Sequence, residues 1–192
     1  MTMPTPTPTR LVMVRHGATA PNLAHVRCGG DLDVPLTDIG REQALAAARR
    51  LRALKLVPGV IVTSPLERTQ ETARIIATEL GVHEIVTEAG FTERRLGEWN
   101  LRPIDETEPW LRAKQVPPGG EADDDFIARV GAALPVLLPL LPRQPLLVGS
   151  KGVGRALGVL LNQRLSGALA NGEVAQFDLA RLRHHTLEGC MP

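Results

Sequence analysis

The chain has 192 residues, 22 of them basic and 21 acidic, for a formal net charge of +1. A balance that even, spread along the whole chain, produces no long-range field for nucleic acid or an anionic membrane, so any anion site must be local. Cys28 and Cys190 match neither a CxxC pair nor a zinc-ligand spacing, which argues against disulfide and metal frameworks and for a reducing cytoplasm.

A chain of this length suits one domain that buries about 70% of its unfolded surface. Residues 11–192 are read as that domain. Residues 1–10, rich in Thr and Pro, are read as a disordered lead without the apolar segment of a secretory signal. No apolar run is read as approaching the roughly 18 residues that span a bilayer.

Leu11 to Val14 is a short apolar run that feeds directly into Arg15-His16-Gly17, the pattern of a buried strand ending in a polar turn. After a loop with Gly29, Gly30 and Pro35, Thr37 is placed to cap a helix whose apolar positions Ala44, Leu45, Ala48, Leu51 and Leu54 recur at helical spacing and stop before Pro58-Gly59. Val60 to Thr63 reads as a second buried strand, Ser64-Pro65 as a turn, and Glu67 to Leu80 as a helix stopped by Gly81. A third strand follows at Ile85 to Thr87. Gly90 to Gly120, punctuated by Pro103, Pro109, Pro117 and Pro118, reads as a loop-rich lid with one short helix. Asp123 to Leu141 has helical spacing, but Pro135 and Pro139 must kink or break it. Leu146 to Val148 repeats the strand pattern, and Gly149-Ser150-Lys151-Gly152 opens a helix through about Leu161. Glu173 to Asp178 and Thr186 to Cys190 read as edge strands.

Strands alternating with helices predict an α/β domain with a mostly parallel central sheet, and in such sheets ligands gather beyond the carboxyl ends of the strands. Arg15-His16, Ser64 to Arg68, Glu93 and Ser150-Lys151 all follow predicted strands. These groups are expected to converge at one edge.

The stretch Arg15-His16-Gly17-Ala18-Thr19-Ala20-Pro21-Asn22, followed by Gly30, Asp33, Pro35-Leu36-Thr37 and Gly40-Arg41-Glu42-Gln43-Ala44, resembles the opening block of the histidine phosphatases. Ser64-Pro65-Leu66-Glu67-Arg68-Thr69-Gln70-Glu71-Thr72-Ala73 is similar to that family's second block. Glu93-Arg94 with Gly97, Trp99 and Gly119-Gly120-Glu121 is similar to its third. The resemblance implies a three-layer sandwich of the phosphoglycerate mutase type and a phosphomonoester hydrolase that needs no cofactor or metal. It implies a phosphohistidine at His16, phosphate contacts from Arg15, Asn22 and Arg68, and a proton from Glu93, with Glu98 as the alternative acid. A planar guanidinium fork suits phosphate oxygens, and a neutral imidazole can be the nucleophile if its other nitrogen donates to a carbonyl.

One position departs from the pattern. Where the family's fourth block reads Ser-His-Gly, this chain reads Ser150-Lys151-Gly152. Lys151 keeps a positive charge and three donors, as a flexible point charge in place of a ring nitrogen. It is read as both a catalytic and a phosphate-binding residue. His25, His83, His184 and His185 are read as surface residues, not as replacements for the missing histidine. Two alternatives stay open: an impaired homologue that binds a phosphate ligand and regulates, and a lyase or isomerase built on the amine of Lys151. The short interval between Trp99 and Gly119 resembles the phosphatases more than the mutases of the family. Trp99, Arg102, Trp110, Arg112 and Lys114 are candidates for contacting the alcohol. The expected partners are a small phosphorylated substrate or phosphate and, for assembly, a second copy in a homodimer.

Overall fold

A computed structural model describes residues 9–163 and 167–181. Five strands make one sheet: β1 (Arg10–Arg15), β2 (Ile61–Thr63), β3 (Ile85–Thr87), β4 (Leu146–Gly149) and β5 (Val174–Asp178). Their order is β3-β2-β4-β1-β5. β1, β2, β3 and β4 run parallel, and β5 closes the edge antiparallel to β1. Val12 lies opposite Leu146 and Arg15 opposite Gly149, so the turns that carry His16 and Lys151 leave the sheet side by side.

Side chains alternate across each strand, and the apolar residues divide accordingly. Leu11, Met13, Leu147 and Phe177 face one core; Val12, Val14, Leu146 and Val148 face the other. The second core is closed by α2 (Asp38–Ala53) and α3 (Glu67–Leu80) through Ala48, Leu51, Ala73 and Ile76. The first is closed by α5 (Asp123–Ala133) and α6 (Lys151–Leu160) through Phe126, Val130, Ala156 and Leu157. Two short elements complete the described helices: α1 (Ala20–Leu23) and α4 (Ile104–Arg112). Each fully buried Leu, Ile or Phe contributes about 1.5–3 kcal/mol from water exclusion, and the sheet collects that gain on both faces. The result is a three-layer α/β/α sandwich.

Several ends fall where the sequence puts them. Thr37 caps α2, its hydroxyl accepting from the Gly40 amide at 3.2 Å. Gly81 ends α3 in the left-handed region at φ +74, which glycine adopts without a Cβ penalty. Val174–Asp178 is the edge strand expected at Glu173 to Asp178. The strand expected at Thr186 to Cys190 lies outside the described residues, as do His184, His185 and Cys190.

Two expectations take a definite form and one needs correction. The lid between Gly90 and Gly120 is more ordered than its prolines suggest, with 3-10 turns at Ala89–Phe91 and Gly97–Trp99 as well as α4, which accommodates Pro109 inside its nine residues. Beyond Ala133 the chain tightens into a 3-10 helix, Leu134–Arg143, with Pro135, Pro139 and Pro142 inside it. The segment Asp123–Arg143 has 21 residues and a mean hydropathy reaching 1.5, so one apolar run does have the length and composition of a bilayer span. In the fold Phe126, Val130, Leu134, Leu137 and Leu141 pack it into the core.

Candidate active site

His16 sits one residue beyond β1, and its position is fixed from three sides. Its backbone amide donates to the Gly149 carbonyl at 2.9 Å, Asn171 Nδ2 donates to the His16 carbonyl at 3.0 Å, and the Gly17 backbone amide donates to Thr72 Oγ1 at 3.1 Å. A Cβ on Gly17 would stand 2.1 Å from the Gly40 carbonyl oxygen, so glycine is needed for α2 to dock this closely. The His16 ring is 4% exposed, and its Nδ1 lies 2.8 Å from the Gly17 carbonyl oxygen. A carbonyl only accepts, so the proton is on Nδ1 and Nε2 is the free nitrogen. Burial, and then the positive charges of Arg68 and Arg15, hold the imidazole well below its usual pKa of 6.5 despite the opposing Gly17 bond. At neutral pH this ring is uncharged.

Arg68, in the first turn of α3, is 1% exposed. Its guanidinium donates to the carbonyls of Leu32 at 2.9 Å and Gly29 at 3.0 Å. Arg15 donates to the Leu169 carbonyl at 2.7 Å. Among the described residues its Nε is buried without a partner. Burial leads in lowering the Arg15 pKa from its ordinary value, with Glu93 and Glu173 opposing and Arg68 adding to it. Two crowded guanidinium groups are each relieved by an arriving dianion.

Glu93 follows the 3-10 turn after β3, and both of its oxygens are occupied by backbone donors. The Arg94 amide reaches Oε1 at 2.7 Å and the Gly152 amide, in the first turn of α6, reaches Oε2 at 2.8 Å. A Cβ on Gly152 would lie 2.0 Å from Oε1, so Gly152 makes room for this carboxyl. Asn22, on α1, accepts at Oδ1 from the Thr19 amide at 3.1 Å and the Thr19 hydroxyl at 3.0 Å. Lys151 opens α6 with an exposed side chain.

A cavity of about 1050 Å³ brings these groups together: Arg15, His16, Asn22, Arg68, Glu93 and Lys151 all line it. They come from the carboxyl ends of β1 and β4, the first turns of α3 and α6, and the chain after β3. A buried uncharged imidazole, convergent cations and a carboxyl in one cleft suit the binding of an anionic group. The model of the histidine phosphatase superfamily, branch 1, matches residues 11–189.

The chain belongs to the histidine phosphatase superfamily. The protein named probable phosphoglycerate mutase GpmB, from Yersinia pestis, is 39% identical over 168 residues, which cover 81% of this chain and 74% of that one. The solved mycobacterial glucosyl-3-phosphoglycerate phosphatase, in complex with VO3, matches with a TM-score of 0.72 at 32% identity, over 88% of this chain and 90% of that one. A structure named mycobacterial hydrolase 1 matches with a TM-score of 0.74 at 29% identity, over 88% of each chain. The fold is therefore that of the phosphoglycerate mutase-like phosphatases.

In this member of the superfamily the two candidate acids separate. Glu93 faces the cavity, whereas Glu98 is exposed and does not line it. Of the five lid residues proposed to meet the alcohol, only Arg112 reaches the cavity wall. Trp99 is buried against Trp110, with ring centroids 5.3 Å apart, and Arg102 stacks over Trp110 at 5.7 Å; these residues pack the lid. Lys114 pairs with Asp124 at 3.8 Å. His83 is exposed, but His25 does line the cavity, in a left-handed backbone at φ 56. Sequence reading passed over Asn171, Asp123 and Arg155, all on the cavity wall. Arg155 and Arg94 both pair with Asp123. The Asn171-Gly172 dipeptide ahead of β5 was a legible turn signal.

Proposed function

We propose that this member of the superfamily is a metal-independent phosphomonoester hydrolase acting on a small phosphorylated metabolite through a phosphohistidine at His16. The observation that carries this reading is the state of the ring: buried, uncharged, its Nδ1 proton committed to the Gly17 carbonyl, and flanked by Arg15 and Arg68. Nε2 attacks phosphorus, the ester P–O bond breaks, and the departing alkoxide takes a proton from Glu93. Water then attacks the phosphohistidine and gives its proton to Glu93, the P–N bond breaks, and inorganic phosphate leaves with His16 restored. Arg15, Arg68, Lys151 and the amide of Asn22 hold the phosphoryl oxygens, supplying the charge compensation that this transfer needs.

Lys151 takes the place of a ring donor in this scheme. Among the described residues its exposed ammonium has no ion pair or hydrogen bond, and its stem can swing the ammonium toward an incoming oxyanion. Imine chemistry favours an amine desolvated in an apolar pocket; the exposure of Lys151 favours its use as an anion donor. The names of the relatives, a phosphoglycerate mutase and a glucosyl-3-phosphoglycerate phosphatase, make phosphorylated small acids and their sugar derivatives the first substrates to try.

The test is hydrolysis of p-nitrophenyl phosphate, with chelator present, by the wild-type chain, His16→Ala and Lys151→His. We expect wild-type turnover, none with His16→Ala, and a gain of up to about 10²-fold with Lys151→His, the usual size of one preorganised donor. No turnover except in Lys151→His would instead indicate a phosphate-binding homologue. Turnover that survives His16→Ala would overturn the phosphohistidine.

A further inference from the structure

We propose that Asn171 is a positioning residue that fixes the amide of Asn22 so that its NH2 faces the phosphate; this rests on the phosphatase reading of the site. Asn171 stands at the second position of a tight turn, Ala170 to Glu173, closed by the Glu173 amide on the Ala170 carbonyl at 3.1 Å. Gly172 follows it at φ +74, the conformation that a type II turn requires at its third position. The Gly172 amide donates to the Arg15 carbonyl at 3.0 Å, and the Arg15 amide donates to the Glu173 carbonyl at 3.1 Å. The turn is thereby tied to the end of β1, with His16 next in the chain.

From that platform one side-chain amide uses both of its hydrogens. Asn171 Nδ2 donates to the His16 carbonyl at 3.0 Å and to Asn22 Oδ1 at 3.2 Å. Asn22 Oδ1 also accepts from the Thr19 amide and hydroxyl, so three donors surround one oxygen. An asparagine amide is near-symmetric in shape, and only its bonding partners decide which end points where. With its oxygen held by Thr19 and Asn171, Asn22 turns its two donors toward the cavity it lines. Were the amide reversed, its oxygen would meet a phosphoryl oxygen and repel it. Asn171 therefore acts on the ligand through Asn22, while its bond to His16 anchors it.

The experiment is a calorimetric titration of inorganic phosphate into the wild-type chain, Asn171→Asp, Asn22→Ala and the double variant. A carboxylate has the shape of the amide but no donors, so it would repel Asn22 Oδ1 and displace the amide from the place where Thr19 and Asn171 together hold it. We expect Asn171→Asp to weaken phosphate binding roughly tenfold or more, the size of a lost bond to a charged group. In the Asn22→Ala background the same change should cost at least about threefold less, because only the direct repulsion between the new carboxylate and phosphate remains. Equal losses in both backgrounds, or none, overturn the proposal while leaving the phosphate site standing. A wild-type chain that binds no phosphate overturns both. Should Asn171→Asp fail to fold, the wild-type side-chain amide resonances decide. The Asn171 NH2 pair should be protected from exchange with and without phosphate, and the Asn22 pair should shift only on its addition. An Asn22 pair that ignores phosphate overturns the proposal.

Discussion

Two residues settle how much chemistry the cleft can support. Gly152 gives Glu93 both an amide donor and the space beside it. In Gly152→Ala the new methyl would meet the far end of a flexible side chain, so the carboxyl should move while α6 stays in place. If Glu93 donates the proton, hydrolysis of an alkyl phosphate should fall about 10²-fold, the lower end for lost acid catalysis. Hydrolysis of p-nitrophenyl phosphate, whose leaving group needs little protonation, should fall far less. Equal losses on the two substrates would remove Glu93 from the acid role. His16 makes a second prediction, about stability. Its folded pKa lies well below 6.5, with burial the leading cause, so below pH 6.5 the unfolded chain binds a proton there that the folded chain refuses. Stability is intact above the unfolded pKa and declines as pH falls through it. The urea midpoint of the wild type should therefore drop between pH 7.5 and 5.5 by more than that of His16→Gln. His16, Arg68 and Glu93 were legible because each sits in a contiguous block beside its own strand end. Asn171 was not, because its meaning comes from contacts with Asn22 and His16 across almost the whole chain.

At the scale of elements, legibility followed local chemistry. α3 is bounded by Ser64-Pro65 and Gly81, signals that act within a turn, and it spans Glu67–Leu80 as expected. α4 lacked a side-chain cap and contained Pro109, so the one short helix expected in the lid had no local signal strong enough to fix its bounds. It is held instead by tertiary bonds, with Arg27 donating to Thr107 at 2.7 Å and to Glu108 at 2.8 Å. The apolar 3-10 stretch Leu134–Arg143 read as a broken α-helix because prolines there deny interior donors, and the chain satisfied that constraint by tightening its turn. The element that matters most for the site is α2, whose first turn seats the His16 loop. Thr37 holds the Ala18 carbonyl with both its amide, at 2.9 Å, and its hydroxyl, at 3.0 Å. Thr37→Ala should cost about 1 kcal/mol for the lost cap and leave kcat nearly unchanged, since the backbone bond remains. Gly40→Ala should behave differently. A Cβ there would lie 2.2 Å from the Ala18 carbonyl oxygen, and backbone cannot yield as a side chain does. We expect a loss of about 1–3 kcal/mol together with a drop in kcat/KM, read by urea denaturation and p-nitrophenyl phosphate hydrolysis on the same preparation.

For the whole molecule, the sheet is both partition and platform. α2 and α3 pack with Val12 and Val148 on one side; α5 and α6 pack with Met13 and Leu147 on the other. Among the described residues no side chain belongs to both cores, because successive residues of a strand point to opposite faces. The site lies where the two layers meet beyond the strand ends: α3 brings Arg68 from one layer, α6 brings Gly152 and Lys151 from the other, and β1 delivers His16 between them. A lesion buried in one layer should therefore be felt in the other only through the sheet. Ile76→Val, in the α3 layer, should cost about 0.5–1.5 kcal/mol, and Leu137→Ala, in the opposite layer, about 2–5 kcal/mol. Their double variant should equal the sum within about 0.5 kcal/mol, as for sites that share no partners. A coupling above about 1 kcal/mol, measured by urea denaturation of the four chains, would mean that the layers pack as one body through the sheet. In that case a substitution in either core would also be expected to disturb the distance between Arg68 and Lys151, and phosphate affinity would track stability in both single variants. Additive stabilities with unchanged phosphate affinity would instead mean that the strand ends hold the site independently of how well each layer is filled.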